Sequence, residues 1–286
     1  MERLLIIGCG DIAQRTIPLI SGHYRLYALI RNATRSKGLR QQGITPVIGD
    51  LDDRRQLPRV AGLADIVLHL APPPNAGPDD SRTRHLLALL SQGALPKRFI
   101  YISTSGVYGD CGGAYVDETR SVQPRTVRAQ RRVDAEQQIR RWARRNGVQA
   151  TILRVPGIYA AERLPLERIR SATPALDAAE DGYTNHIHAD DLARIIVAAL
   201  QRGKPNRVYH ASDDGEMKMG DYFDIVADAY RLPRPPRISR AEAQRVLPES
   251  LLSFVNESRR LVNGRMKREL GVRLRYSTVI DLLKGL

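Results

Sequence analysis

Gly8, Gly10 and Ala13 follow the apolar run Leu4-Leu5-Ile6-Ile7 and read G-x-G-x-x-A. At that spacing Gly8 permits a tight turn and Gly10 lets backbone come close to an anion. The small Ala13 lets the next helix pack against the strand. A helix opening at Asp11 and Ile12 presents unpaired N–H groups and the positive end of its dipole. Strand, turn and helix in this order form a cradle for the diphosphate of a dinucleotide. Cys9, inside the loop, reads as a small filler rather than a redox group.

The second apolar run, Leu26–Ile30, ends at Arg31-Asn32. An NAD-selective loop carries Asp or Glu there, accepting from the ribose hydroxyls. Arg31, with Arg35 and Lys37 close behind, instead offers cations that can pair with a 2′-phosphate. NADP(H) is therefore the expected cofactor and NAD the alternative. Asp50, in Gly49-Asp50-Leu51, can accept from an adenine amino group. Ala71-Pro72, after a fourth apolar run, would wall the cofactor side.

Short apolar runs alternate with amphipathic stretches through the first two-thirds of the chain. Strands are expected at Leu4–Ile7, Leu26–Ile30, Pro46–Ile48, Ile66–Leu70, Arg98–Ile102, Ala150–Val155 and Arg207–His210. Helices are expected near Asp11–Ile20, Ser36–Gln42, Arg54–Val60, Ser81–Ser91, Thr126–Arg145 and Asp190–Gln201. This order predicts an α/β fold, a Rossmann-type doubly wound parallel sheet. Pro18 should kink or shorten the first helix. After Val155, Pro156-Gly157 breaks the pattern, and further helices are expected near Gly220–Tyr230, Arg240–Val246 and Ser258–Leu270. Residues 1–155 plus 183–212 would form the dinucleotide-binding core. Residues 156–182 plus 213–286 would form a small C-terminal substrate lobe, the two making one integrated unit.

The formal charge of +14 comes mostly from arginine scattered along the 286 residues, without a basic tail, so nucleic acid is disfavoured as a partner. A small molecule is the expected ligand; oligomeric state is not legible. No apolar run is long enough to span a bilayer. Two cysteines and an apolar start too short for a signal peptide give a cytoplasmic expectation.

In these motifs the chain resembles the short-chain dehydrogenase/reductase superfamily, in its extended, NAD-dependent epimerase/dehydratase-like branch. The resemblance rests on the phosphate loop, Gly49-Asp50-Leu51, His69-Leu70-Ala71-Pro72, the run from Tyr101 to Gly109, Arg154–Tyr159 and Asn185–Leu192. It implies a Ser or Thr after the fifth strand that polarises a substrate oxygen, here Thr104 or Ser105. It also implies a Tyr followed four residues later by Lys, and no Tyr in this chain has Lys at that spacing. Aligning the family helix on 125–139 puts Arg128 at the Tyr position and Arg132 at the Lys position. Arginine stays protonated, so neither can do the tyrosine's acid–base work. Arg128 could clamp an anionic substrate, and Arg132 could donate to ribose hydroxyls.

Three readings of this helix follow. Tyr108 could supply the missing proton in an oxidoreductase or epimerase/dehydratase-like enzyme. The protein could instead bind NADP(H) without chemistry, as a sensor or scaffold. Or the arginines of 125–145 could form a nucleic-acid face, against which the helical spacing of Ala135, Ile139, Trp142 and Ala143 argues for docking on the sheet. His186 and His188 lack a third ligand at recognisable spacing, so no metal is expected. Asp190 or Asp191 is expected to cap the following helix. Arg163 resembles a substrate-lobe position and could bind an anionic ligand.

Overall fold

The computed structural model describes residues 1–53 and 60–285. Seven parallel strands form its main sheet: β1 (Arg3–Ile7), β2 (Arg25–Ile30), β3 (Thr45–Ile48), β4 (Ile66–His69), β5 (Arg98–Thr104), β6 (Gln149–Val155) and β7 (Arg207–His210). Their order is 7-6-5-4-1-2-3, so the connections reverse direction beside β1. Ligands bind at such a switch point, beyond the carboxyl ends of the strands. The helices in chain order are α1 (Asp11–Ile20), α2 (Ser36–Gln41), α3 (Ser81–Leu90), α4 (Val127–Asn146), α5 (Leu166–Arg170), α6 (Ala189–Arg202), α7 (Met219–Ala229), α8 (Arg240–Val246), α9 (Glu249–Val255), α10 (Gly264–Leu270) and α11 (Val279–Leu283).

Period-two alternation divides β1 between the two faces of the sheet. Leu4 and Ile6 join Ala13, Ile17 and Ile20 of α1 and Ile195, Ile196 and Leu200 of α6. Leu5 and Ile7 join Leu86 and Leu90 of α3 and Ala135, Ile139 and Ala143 of α4. Both faces are therefore covered, which explains why these strands are apolar throughout. The sheet, α1 and α4 match the sequence expectation to within a few residues. The helix expected at Arg54–Val60 falls on 54–59, outside the described residues.

Pro18 does not end α1, which runs on to Ile20. It lies on the exposed side of the last turn, where solvent can serve the carbonyl it leaves unbonded. α4 starts where the Thr126 side chain accepts from the Ala129 N–H at 3.1 Å. It ends at Gly147, in the left-handed conformation (φ 66°).

Beyond β6, the short strand Gly157–Tyr159 pairs in parallel with His186–His188. Tyr159, Ile169, Phe223, Val226 and Val279 gather α5, α7 and α11 into a separate apolar cluster. The helix expected over Ser258–Leu270 begins only at Gly264. Arg260–Leu261 is instead a strand paired with Tyr115–Val116, because the Arg260 and Val262 N–H groups donate to Ala114 and Val116 carbonyls. Met266 and Leu270 of α10 return to the sheet core.

Candidate active site

Gly8 has φ +90°, and a Cβ there would lie 2.6 Å from the backbone nitrogen of Ala71. Both the positive φ and the close approach of the chain after β4 exclude any larger residue. Gly10 differs: a Cβ on it would meet no heavy atom within 4 Å. It is the N-cap of α1 and supplies no side-chain cap. Backbone donors at Asp11 and Ile12 therefore begin the helix beside open space, while Ala13, 1% exposed, packs inward. This is the geometry an anion needs.

Gly8, Gly10, Arg31, Asn32, Asp50, Leu51, Ala71 and Pro72 line one cavity of about 330 Å³ beyond β1, β2 and β4. Asn32 caps the turn after β2, its Oδ1 accepting from the Thr34 N–H at 2.9 Å. Asp50 Oδ1 accepts from the Asp52 N–H at 2.9 Å. Arg31 is largely exposed and stands 3.9 Å from Asp52. Arg35 donates to the Cys9 carbonyl at 2.7 Å, fastening the phosphate loop to the turn after β2. Arg82 of α3 also reaches this cavity, paired with Asp52 at 2.5 Å. No local motif announces Arg82; it arrives through tertiary packing alone.

A second cavity, of about 230 Å³, lies beyond β5 and brings together Thr104, Ser105 and Arg128. Thr104 Oγ1 accepts from the Gly106 N–H at 3.2 Å, shaping the turn that presents both hydroxyls. Arg128, in the first turn of α4, has its guanidinium 3.4 Å from Ser253 Oγ on α9. Tyr183, His186, Glu257 and Arg259 complete the wall. Of these, only His186 stands out in the sequence, and there without the third ligand a metal would need. Its ring stacks on Tyr222 with centroids 4.3 Å apart, and burial pushes its pKa down to about 4. His186 is thus a neutral imidazole in this wall at ordinary pH. Arg259 donates to the Gly109 carbonyl and to Glu257, at 2.6 and 2.8 Å.

Tyr108, which the sequence offers as one candidate for the missing proton donor, lines neither cavity. Its side chain is 1% exposed. His210 Nδ1 lies 3.0 Å from the Val262 carbonyl, which can only accept, so that nitrogen carries the proton. Nε2 then accepts from the Tyr108 hydroxyl at 2.6 Å. The same hydroxyl accepts from Arg154 at 2.7 Å, and Arg154 pairs with Glu136 at 3.0 and 2.7 Å. Burial, against the nearby Arg154 charge, pushes the phenol pKa up to about 12. Its proton is committed to the protein.

Arg132 lines neither cavity: its Nη1 donates to the Ile102 carbonyl at 2.8 Å and to the Tyr101 hydroxyl at 3.0 Å. Arg163 is also absent from the second cavity and instead contacts Asp11 at 2.7 Å, beside the phosphate loop. α6 is capped by His188, whose Nδ1 accepts from the Asp190 N–H at 3.1 Å, rather than by Asp190 or Asp191. Asp191 accepts from the Arg275 and Tyr276 N–H groups and so anchors the C-terminal segment. Both histidine rings are packed against tyrosines.

The sequence profile of the NAD dependent epimerase/dehydratase family matches residues 13–212. The chain belongs to that family. Among solved structures, a functionally unknown conserved protein from Silicibacter pomeroyi DSS superposes with TM-score 0.83 at 28% identity. That match covers 100% of this chain and 98% of the other. The human dTDP-D-glucose 4,6-dehydratase is 24% identical over 143 residues, 47% of this chain and 41% of that enzyme. The NAD(P)H azoreductase of Xenophilus azovorans is 24% identical over 266 residues, covering 89% of this chain and 85% of the enzyme. The family match takes in α1 from Ala13 onward, β5, β6 and the turn bearing Thr104 and Ser105, while Gly8 and Gly10 lie before it. Among the described residues, no helix of this epimerase/dehydratase-family protein is long and apolar enough to cross a membrane.

Proposed function

We propose that this protein is an NADP(H)-dependent oxidoreductase, or an epimerase/dehydratase-like enzyme, acting on a small anionic or sugar-like substrate in the cytoplasm. The observation that supports this reading is the second cavity, whose lining beyond β5 includes Thr104, Ser105 and Arg128. A bound nicotinamide supplies or accepts hydride. Thr104 and Ser105 hold the substrate oxygen, and Arg128 orients an anionic group at the other end. His186, uncharged, can donate a hydrogen bond to that oxygen without adding to the positive charge of the wall.

For the cofactor, Arg31, Arg35 and Arg82 around the first cavity support recognition of a 2′-phosphate. Titration followed by nucleotide fluorescence should give tighter binding of NADPH than NADH, and Arg31→Ala or Arg35→Ala should narrow the difference. Equal affinities in the unmodified protein would remove the NADP(H) assignment. For the chemistry, NADPH oxidation is followed with small carboxylated aldehydes, ketones and a carboxylated azo dye. Turnover that Arg128→Ala weakens through KM supports the enzyme reading. The enclosure of Tyr108 favours a second reading, a binding protein without catalysis; tight NADPH binding with no turnover on any probe is its signature.

A further inference from the structure

We propose that Arg163 is a cofactor residue, its guanidinium closing over the diphosphate of the dinucleotide and tying the segment after β6 to the phosphate loop. The proposal rests on the dinucleotide reading above. Arg163 ends the short helical turn Ala161–Arg163, and its Nη1 donates to Asp11 Oδ2 at 2.7 Å, across 152 residues of chain. Asp11 is the first residue of α1 and directly follows Gly10, the glycine whose Cβ direction is open. The guanidinium is therefore held within one residue of the backbone donors that would take an anion.

Charge accounts for the pairing. A carboxylate at the first position of α1 would repel a diphosphate bound there. Arg15 cannot offset this alone, because it also pairs with Asp190 at 2.5 Å and with Glu162. Arg163 supplies the second cation, and one ion pair uses only part of its five-donor fork. Such a fork suits phosphate oxygens better than a point charge. Burial raises the Asp11 carboxyl, but the hydrogen bonds from Arg163 and Arg15 outweigh it and hold Asp11 below the usual range, so it remains an anion at neutral pH. One Nη1–H goes to Asp11 Oδ2, which leaves the other donors of the fork for the ligand.

Two substitutions that break the same ion pair separate a clamp from a tether. ADP-ribose and NADPH are titrated by calorimetry into the intact protein and into Arg163→Ala, Arg163→Lys and Asp11→Asn. The proposal expects Arg163→Ala to bind both ligands about tenfold more weakly, the scale of one charge-assisted hydrogen bond. Arg163→Lys should recover part of this, and Asp11→Asn, which keeps the backbone donor and removes the repulsion, should bind at least as tightly as the unmodified protein. Loss of affinity in both Arg163→Ala and Asp11→Asn marks a structural tether and overturns the proposal, as does unchanged affinity in Arg163→Ala. If the unmodified protein binds neither NADPH, NADH nor ADP-ribose, the dinucleotide reading itself fails.

Discussion

Replacing Tyr108 with Phe removes one hydroxyl and nothing else from a sealed network. His210 Nε2, in a side chain with no exposed surface, loses its donor at 2.6 Å. Arg154 loses an acceptor at 2.7 Å but keeps both hydrogen bonds to Glu136. Leaving a buried polar group unsatisfied costs about 1–3 kcal/mol; His210 and Arg154 are affected, with a longer contact to the Asp117 carbonyl at 3.3 Å, and Arg154 has other partners, so the expected loss is about 2–4 kcal/mol. For a chain of this size that is a drop in Tm on the order of 5 °C. Thermal denaturation followed by circular dichroism measures the stability, and NADPH titration below the transition measures the site. The reasoning expects a clear loss of stability with unchanged nucleotide affinity and unchanged turnover of any probe the protein accepts. A variant that melts like the unmodified protein yet loses turnover would return Tyr108 to the chemistry and refute its assignment to the core.

Gly8→Ala should both lower Tm and abolish nucleotide binding, since a Cβ at φ +90° would also overlap the backbone at Ala71; unchanged melting contradicts this. Arg128→Ala should raise KM for a carboxylated probe about tenfold or more while leaving NADPH affinity intact, the loss expected for one charge-assisted contact; an equal effect on an uncharged probe contradicts the clamp. Stability should fall as pH drops from 6.5 towards 4. His69, His186 and His210 are pushed by burial down to about 3, 4 and 3, so below pH 6.5 the unfolded chain binds more protons than the folded one. Asp213, raised by burial to about 7, acts in the opposite direction, as do Asp80 and Asp181, also raised by burial. Against them burial lowers His188 as well, and Asp65 and Glu269, held down to about 2 by Arg3 and Arg207, add to the decline near pH 4. Urea midpoints measured across that range should decline; a flat or rising series would show that these rings are not held neutral.

The sheet and α1 were legible because each depends on neighbours close in sequence: an apolar run, a glycine turn and an amphipathic helix. The phosphate loop is local in the same sense. The second cavity was only partly legible. Thr104, Ser105 and Arg128 sit at positions that a family resemblance marks, whereas Glu257 and Arg259 arrive from a segment whose strand, Arg260–Leu261, depends on partners near residue 115. That pairing leaves no helical or alternating signature of its own. The enclosure of Tyr108 was illegible for a similar reason. Its proximity to β5 suggested access to substrate, but the partners that enclose it, Arg154 and His210, lie 46 and 102 residues away. Arg163 likewise follows a family position in sequence, while its contact with Asp11 exists only in the folded chain.

Gly10 gives the most direct test of dinucleotide binding at the mouth of α1. Its backbone, φ −86° and ψ −162°, suits any L residue, and a Cβ there meets nothing within the protein. Gly10→Val should therefore fold, losing no more than the ~1 kcal/mol of an apolar N-cap, while filling the space a diphosphate requires. Calorimetry with NADPH should show binding to the unmodified protein and none to Gly10→Val. Equal binding by the two proteins would contradict the account.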